Sequence, residues 1–301
     1  MINLNDYTEF KGEKITICLT SFCNAKCQHC YIDYHGKWDI NELRNIIPAL
    51  RQKYKIALNG AEVLTNPDYL ELYALAGEHN LLTNGLAIVN NPNLMKEMQK
   101  YGIDHVSISY HFGSTVSAIP SKTIEQAIKL LQANGFEVEI MTTISKENYK
   151  HIEAMCKKTH MLGVRELYLI NYLCRGNAHL RSELSLSTSE IIEFIELLHK
   201  VRSHFPKDEL YIERSGTFDS HDYLTKSTFE CYAAHKEVAI TPDKRIYPCI
   251  FCIDKPYQIG HLCNDQLLVS KTLIDKLPNM QGCMACNIYN KTTSFHKREF
   301  Y

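Results

Sequence analysis

The strongest constraint on this chain is an alternation running from residue 14 to about 216, in which short β-branched runs are separated by stretches of helical period. The strand-like runs are 14–19, 55–58, 80–83, 105–109, 136–144, 164–173 and 210–213. Between the first two, Asp39 followed by Glu42 spells a capping box ahead of Leu43, Ile46 and Ile47, and Pro48 inside that period predicts a kink or a break. Ile124, Ala127, Ile128 and Leu131 follow the i, i+3, i+4, i+7 rule, with Gly135 as the stop, and Ser187 opens a helix carrying Ile191, Phe194 and Leu198. Six or seven such units imply an α/β fold, with a parallel sheet and helices outside it. In such folds sites gather where strands end, and the informative residues sit there. Three cysteines follow the first run, Gly60-Ala61-Glu62 closes the second, and Thr83-Asn84-Gly85 closes the third.

The cysteines form a C-x3-C-x2-C run, Cys23, Cys27 and Cys30, three thiolates within eight residues. A 4Fe-4S cluster normally takes four cysteines, so three leave one iron open to a non-protein ligand. The spacing resembles that of the radical S-adenosylmethionine (SAM) superfamily. The resemblance implies a partial (β/α)6 TIM-like barrel and a 4Fe-4S cluster that binds SAM through its open iron. It further implies reductive cleavage of SAM to a 5'-deoxyadenosyl radical. It gives His29, just before the third cysteine, a place beside the adenine. Gly60 and Glu62 stand where the family has Gly-Gly-Glu-Pro, although Ala61 and Val63 depart from that pattern, and Glu62 is the expected partner of the SAM amine. Asn84, Ser109 and Thr142, at or near the ends of later strands, complete the expected cofactor contacts. Leu173-Cys174-Arg175-Gly176-Asn177-Ala178 is similar to a Pro-x-Gly-Arg-Ala loop of SPASM and twitch members. There Arg175 either meets a SAM or substrate carboxylate or is a solvated loop cation, and Cys174 is either a hydrogen-atom donor or a small buried hydrophobe.

Cysteines return beyond a connector at 217–230 that loses the helical period. Residues 238–247 read as a β-hairpin ending at Cys249, and a helix is predicted over about 265–277. Cys231, Cys249, Cys283 and Cys286 are spaced C-x17-C…C-x2-C, enough thiolates for a closed cluster or for a zinc ion. The pattern resembles the twitch subdomain, a shortened SPASM domain carrying one auxiliary 4Fe-4S cluster. Lys244 stands where that pattern commonly has a turn glycine. Cys252 and Cys263 are left as spares, and Cys252 is a second candidate for hydrogen-atom donation or for ligation. The domain division that follows is a core at 1–216, the connector, and an auxiliary-cluster subdomain with its tail at 231–301.

Charge is balanced at 33 basic against 34 acidic residues, which offers no electrostatic case for nucleic acid or an anionic membrane surface. No apolar run reaches the ~18 residues of a membrane span, and twelve cysteines without a secretory signal point to metal or redox chemistry in the cytoplasm. Taken with the resemblance, these features predict a radical SAM oxidoreductase or maturase served by a donor such as flavodoxin or ferredoxin. Its expected substrate is a ribosomally made peptide that is oxidised, crosslinked or epimerised. The alternatives are a small natural-product intermediate such as an amino sugar, or a non-catalytic metal-binding scaffold. Because the chain starts almost at the first strand, no N-terminal leader-recognition module is expected, a module that some epimerases of the resembled family also lack.

Overall fold

A computed structural model describes residues 6–218, 231–277 and 283–289. Its strands, in chain order, are β1 (Tyr7–Glu9), β2 (Lys14–Cys18), β3 (Lys55–Asn59), β4 (Asn80–Thr83), β5 (His105–Ser109) and β6 (Glu137–Ile144). They continue with β7 (Glu166–Asn171), β8 (Tyr211–Arg214), β9 (Glu237–Ile240), β10 (Arg245–Tyr247), β11 (Gly260–Cys263) and β12 (Gln266–Ser270). β4 to β8 form one parallel sheet in sequence order, and β3 lies next to β4 to continue the wall. The remaining strands form a second sheet ordered β1-β12-β11-β10-β9-β2-β3, in which β2 pairs in parallel with both β3 and β9. The first strand of the C-terminal segment is therefore built into the same sheet as the strand that precedes the cysteine run.

Helices lie between the parallel strands, as the apolar spacing requires. In Ile40–Arg51 the residues Leu43, Ile46, Ile47 and Leu50 are buried, and the Asp39 side chain accepts from the Asn41 N–H. Pro48 does not break this helix, contrary to expectation. Burial of residues on both sides of the proline holds the segment helical despite the lost N–H. At Thr188–Arg202 the capping box of Ser187 and Glu190 is complete.

The predicted helix over 265–277 is corrected. Residues 266–270 form β12, paired with β11 through Cys263↔Gln266, and only Lys271–Asp275 is helical. Asn264 takes a left-handed φ of 56° in the two-residue turn, and the alternating Leu267 and Val269 are the buried side chains. That is a strand period with hairpin turn chemistry. The 238–247 hairpin forms as expected, with Ile246 opposite Ile240. Lys244 adopts φ 64° at the position where glycine is common, and its ammonium pairs with Glu42 at 2.6 Å.

Candidate cluster and cofactor site

The cysteine loop leaves β2 at its C-terminal end and returns into the helix at 40–51. Trp38 closes it, being buried and donating its indole N–H to Cys18 O at 3.1 Å. Burying an aromatic of this size removes roughly 150–250 Å² from water, worth about 4–6 kcal/mol as an upper bound. Tyr34 ties the other side by donating to Thr20 O at 3.1 Å.

Within this frame each of the three thiols faces a backbone N–H. Ala25 N donates to Cys23 Sγ at 3.4 Å, Ala118 N donates to Cys27 Sγ at 3.3 Å, and Ile32 N donates to Cys30. Asn84 Nδ2 adds a 3.6 Å contact to Cys23 Sγ while bonding Asn24 Oδ1 at 2.8 Å. Hydrogen bonds to sulfur stabilise thiolates and help set the potential of an iron–sulfur cluster. Three cysteines on one loop, each with a donor already in place, fit a cluster with one open iron.

Glu62 is 1% exposed, and its carboxylate accepts three hydrogen bonds from this chain. It accepts from Leu64 N at 3.2 Å, Thr83 Oγ1 at 2.9 Å and Asn84 N at 2.8 Å. Burial pushes it up to about 7 against these three bonds. Glu62 thus fixes the end of β4, and through it Asn84, against the cysteine loop. Gly60 packs closely there, since a Cβ would lie 3.3 Å from Thr20 Cγ2.

His29 stands edge-on to His111, with ring centroids 4.1 Å apart. Burial lowers His29 to about 4 and His111 well below its usual value, so both rings are neutral. Thr143 N donates to His111 Nδ1 at 3.1 Å, while His29 Nδ1 is buried without a partner. His111 was not singled out from the sequence, where only its place just past β5 and Tyr110 marks it.

The other expected contacts diverge. Ser109 is half-buried at the end of β5, opposite Met141. Thr142 is fully buried and spends its hydroxyl on Tyr110 O at 2.6 Å, inside the sheet. Cys174 packs against the apolar cluster of Val116, Tyr172, Ala178 and Leu184. Gly176 has a left-handed φ of 57°, and a Cβ there would meet Ile32 O at 2.7 Å and Cys30 O at 2.9 Å. Glycine therefore lets the 174–178 loop lie on the cysteine loop, where Ala178 N reaches Cys30 O at 3.1 Å and Asn177 Nδ2 reaches Cys27 O at 3.3 Å. Arg175, at the start of this loop, is buried.

In the C-terminal segment, Cys252 and Cys283 are buried in one cluster with Ala233, Met284 and Ala285, against which Cys231 and Cys249 pack. Cys252 hydrogen-bonds Cys249 through their thiols, and its N–H donates to Cys249 O at 3.0 Å. The side chain of Cys286 lies outside the described residues, and Cys263 is exposed on the β11–β12 hairpin. The two cysteine regions touch through Tyr31 and Phe251, whose rings are 5.3 Å apart. Among the described residues, no helix is long and apolar enough to cross a membrane.

A family model described as the Radical SAM superfamily matches residues 17–159, which include all three cysteines of the loop, Glu62 and Asn84. The Pre-heme d1 synthase of Dinoroseobacter shibae is 29% identical over 180 residues, 53% of this chain and 44% of that protein. The antilisterial bacteriocin subtilosin biosynthesis protein AlbA of Bacillus subtilis is 21% identical over 290 residues, 89% of this chain and 61% of its own. The chain thus spans roughly half the length of the curated relatives it matches, from 44% to 61% in these two. The crystal structure of Streptococcus suis SuiB bound to precursor peptide SuiA superposes with a TM-score of 0.64 at 13% identity, covering 80% of this chain and 60% of that one. That likeness is one of fold, a mixed α/β architecture with a parallel-strand wall.

Proposed function

We propose, from the match of residues 17–159 to the Radical SAM superfamily model, that this chain is a peptide-modifying radical SAM enzyme whose first cluster is held by Cys23, Cys27 and Cys30. The observation that carries this reading is the cysteine loop itself, three thiols at the end of β2 with a backbone donor on each. When bound, the cluster and SAM supply a 5'-deoxyadenosyl radical that removes a hydrogen atom from the substrate. The protein's own contribution is placement. Asn84, held by Glu62, orients Cys23. The neutral His29 and His111 rings meet edge-on beside the loop, and either face is suited to stacking a base.

Cys231, Cys249, Cys252 and Cys283 are proposed to hold a second, closed 4Fe-4S cluster of twitch type, with Cys286 competing with Cys252 as the fourth ligand. The packed group of Cys252 and Cys283, with Cys231 and Cys249 against it, supports this choice. In this reading Cys252 is a ligand rather than a hydrogen-atom donor, and Cys174 is a packing residue. A one-electron donor of flavodoxin or ferredoxin type would serve both clusters.

The peptide reading is supported by relatives named for bacteriocin biosynthesis and for a bound precursor peptide. A second reading, a tetrapyrrole substrate, is favoured by the 29% identity to a pre-heme d1 synthase. The test is anaerobic. Dithionite-reduced, iron-loaded protein should release 5'-deoxyadenosine from SAM, and Cys23→Ala should abolish that release. Stimulation by precursor peptides rather than by porphyrins would select the first substrate class. No release from a fully loaded sample would leave only a metal-binding scaffold. The Cys23→Ala, Cys27→Ala, Cys30→Ala protein should retain about four irons in the second cluster.

A further inference from the structure

Arg175 is 4% exposed, and its Nε, Nη1 and Nη2 atoms are all buried without a hydrogen-bond partner among the described residues. Arginine does not shed its proton in proteins, and a buried charge left uncompensated is strongly destabilising. A site that keeps such a guanidinium must present an anion to it in the working protein.

The surroundings say which anion. The guanidinium acts electrostatically on Cys30 of the first cysteine set and on Cys18, and Cys18 in turn senses Cys249 of the second set. Tyr31 feels Arg175, Cys30 and Cys249 together. On the other side Arg175 Cζ stands 6.0 Å from the ring of Tyr289, which feels both Arg175 and Cys252 and whose buried hydroxyl also lacks a partner. No carboxylate forms an ion pair with Arg175 among the described residues. Backbone contacts position the residue: Arg175 N donates to Leu173 O at 2.8 Å, and Gly176 seats the loop on Cys30 O. The cation therefore lies where the two sets of thiolates approach each other, with all its donors free.

We propose that Arg175 is a charge-compensating residue shared by the two cysteine sets, its N–H groups completed by the anionic iron–sulfur clusters those sets hold. This rests on the reading that the C-terminal cysteines carry a second cluster. A fixed positive charge beside a cluster favours the form with one more electron. Arg175 thus raises both reduction potentials and offsets the repulsion between two anionic centres brought close by the Tyr31–Phe251 contact.

The test uses the full chain, reconstituted with iron and sulfide under anaerobic conditions, as wild type and as Arg175→Gln, Arg175→Met and Arg175→Lys. Iron and sulfide are counted first. About eight irons in the wild type sustains the second-cluster reading, and about four sinks that reading and the proposal with it. Dithionite titrations followed by electron paramagnetic resonance then give both potentials without SAM or substrate. With about eight irons bound, the Gln and Met variants should show a reduced-to-oxidised ratio at least tenfold lower at a fixed potential. For a one-electron couple that is a shift of about 59 mV downward. The Lys variant, which keeps the charge, should recover most of it. Wild-type potentials in fully loaded Gln and Met variants would overturn the proposal, as would a Lys variant shifted as far as Met, since both outcomes remove charge as the operative property.

Discussion

At the scale of single residues, two positions near the cysteine loop carry measurable consequences. Glu62 is a carboxyl that burial holds up at about 7, against an ordinary value of 4.5. Between those values the folded protein keeps a proton that the unfolded chain has released. Its contribution to stability is therefore complete below about pH 4.5 and is lost as pH rises to about 7, by at most about 3 kcal/mol. Unfolding midpoints of wild type and Glu62→Gln, which does not titrate, should move apart between pH 5 and 7.5, the wild type losing ground. Parallel pH profiles would refute this. Gly176→Ala places a Cβ within 2.7 Å of Ile32 O at a left-handed φ, a strain of about 1–3 kcal/mol. It should lower stability and reduce iron bound per chain, measured after identical reconstitution. The thiols proposed to carry this chemistry stand out in the sequence because residue type and spacing alone restrict what they can bind. His111 does not, because its meeting with His29 is made by two loops 82 positions apart in the chain, and nothing in the local sequence around either announces it. Thr142 misled in the opposite direction: a strand-end hydroxyl looks available until the sheet supplies Tyr110 O as its partner.

At the scale of elements, the parallel strands were readable because β-branched alternation and burial agree. β4 and β5 match the expected bounds, and the others differ by a few residues at their ends. The misreading at 265–277 has a definite cause. Leu267 and Val269 fit a strand period, but Lys271 to Leu277 continue with a helical one, and without the Asn264 turn the two merge. Pro48 gives the complementary lesson, since four buried apolar side chains outweigh one missing N–H. Pro48→Ala restores that donor to the helix interior, so the helix should gain stability, by about 1–3 kcal/mol. Denaturant midpoints at unchanged slope would register the gain, and a loss would mean that the proline shapes the helix against β3.

At the scale of the whole molecule, the C-terminal segment is structurally part of the barrel wall. β9 lies against β2 in register from Lys14↔Glu237 to Ile17↔Ile240, and β1 caps β12 at the far edge. A protein ending at residue 218 would expose β2 as an apolar edge, since Ile15 and Ile17 are buried and its backbone groups on that side would be unpaired. Such a truncation should be insoluble or aggregate, even though every residue of the first cysteine set remains. Recovery of a soluble, iron-binding fragment would show that the wall closes without β9.

The position of β2 between β3 and β9 also fixes a sequence of events. The strand that leads into Cys23 finds one neighbour, β3, after about forty residues, but its second neighbour leaves the ribosome more than two hundred residues later. Long-range parallel pairings of this kind form late and slowly. A nascent chain thus carries its first three thiols through about two hundred further residues before the wall behind them exists. Completion of that wall waits on β9: a chain stalled between β3 and β9 carries the cysteine loop without the frame that holds it.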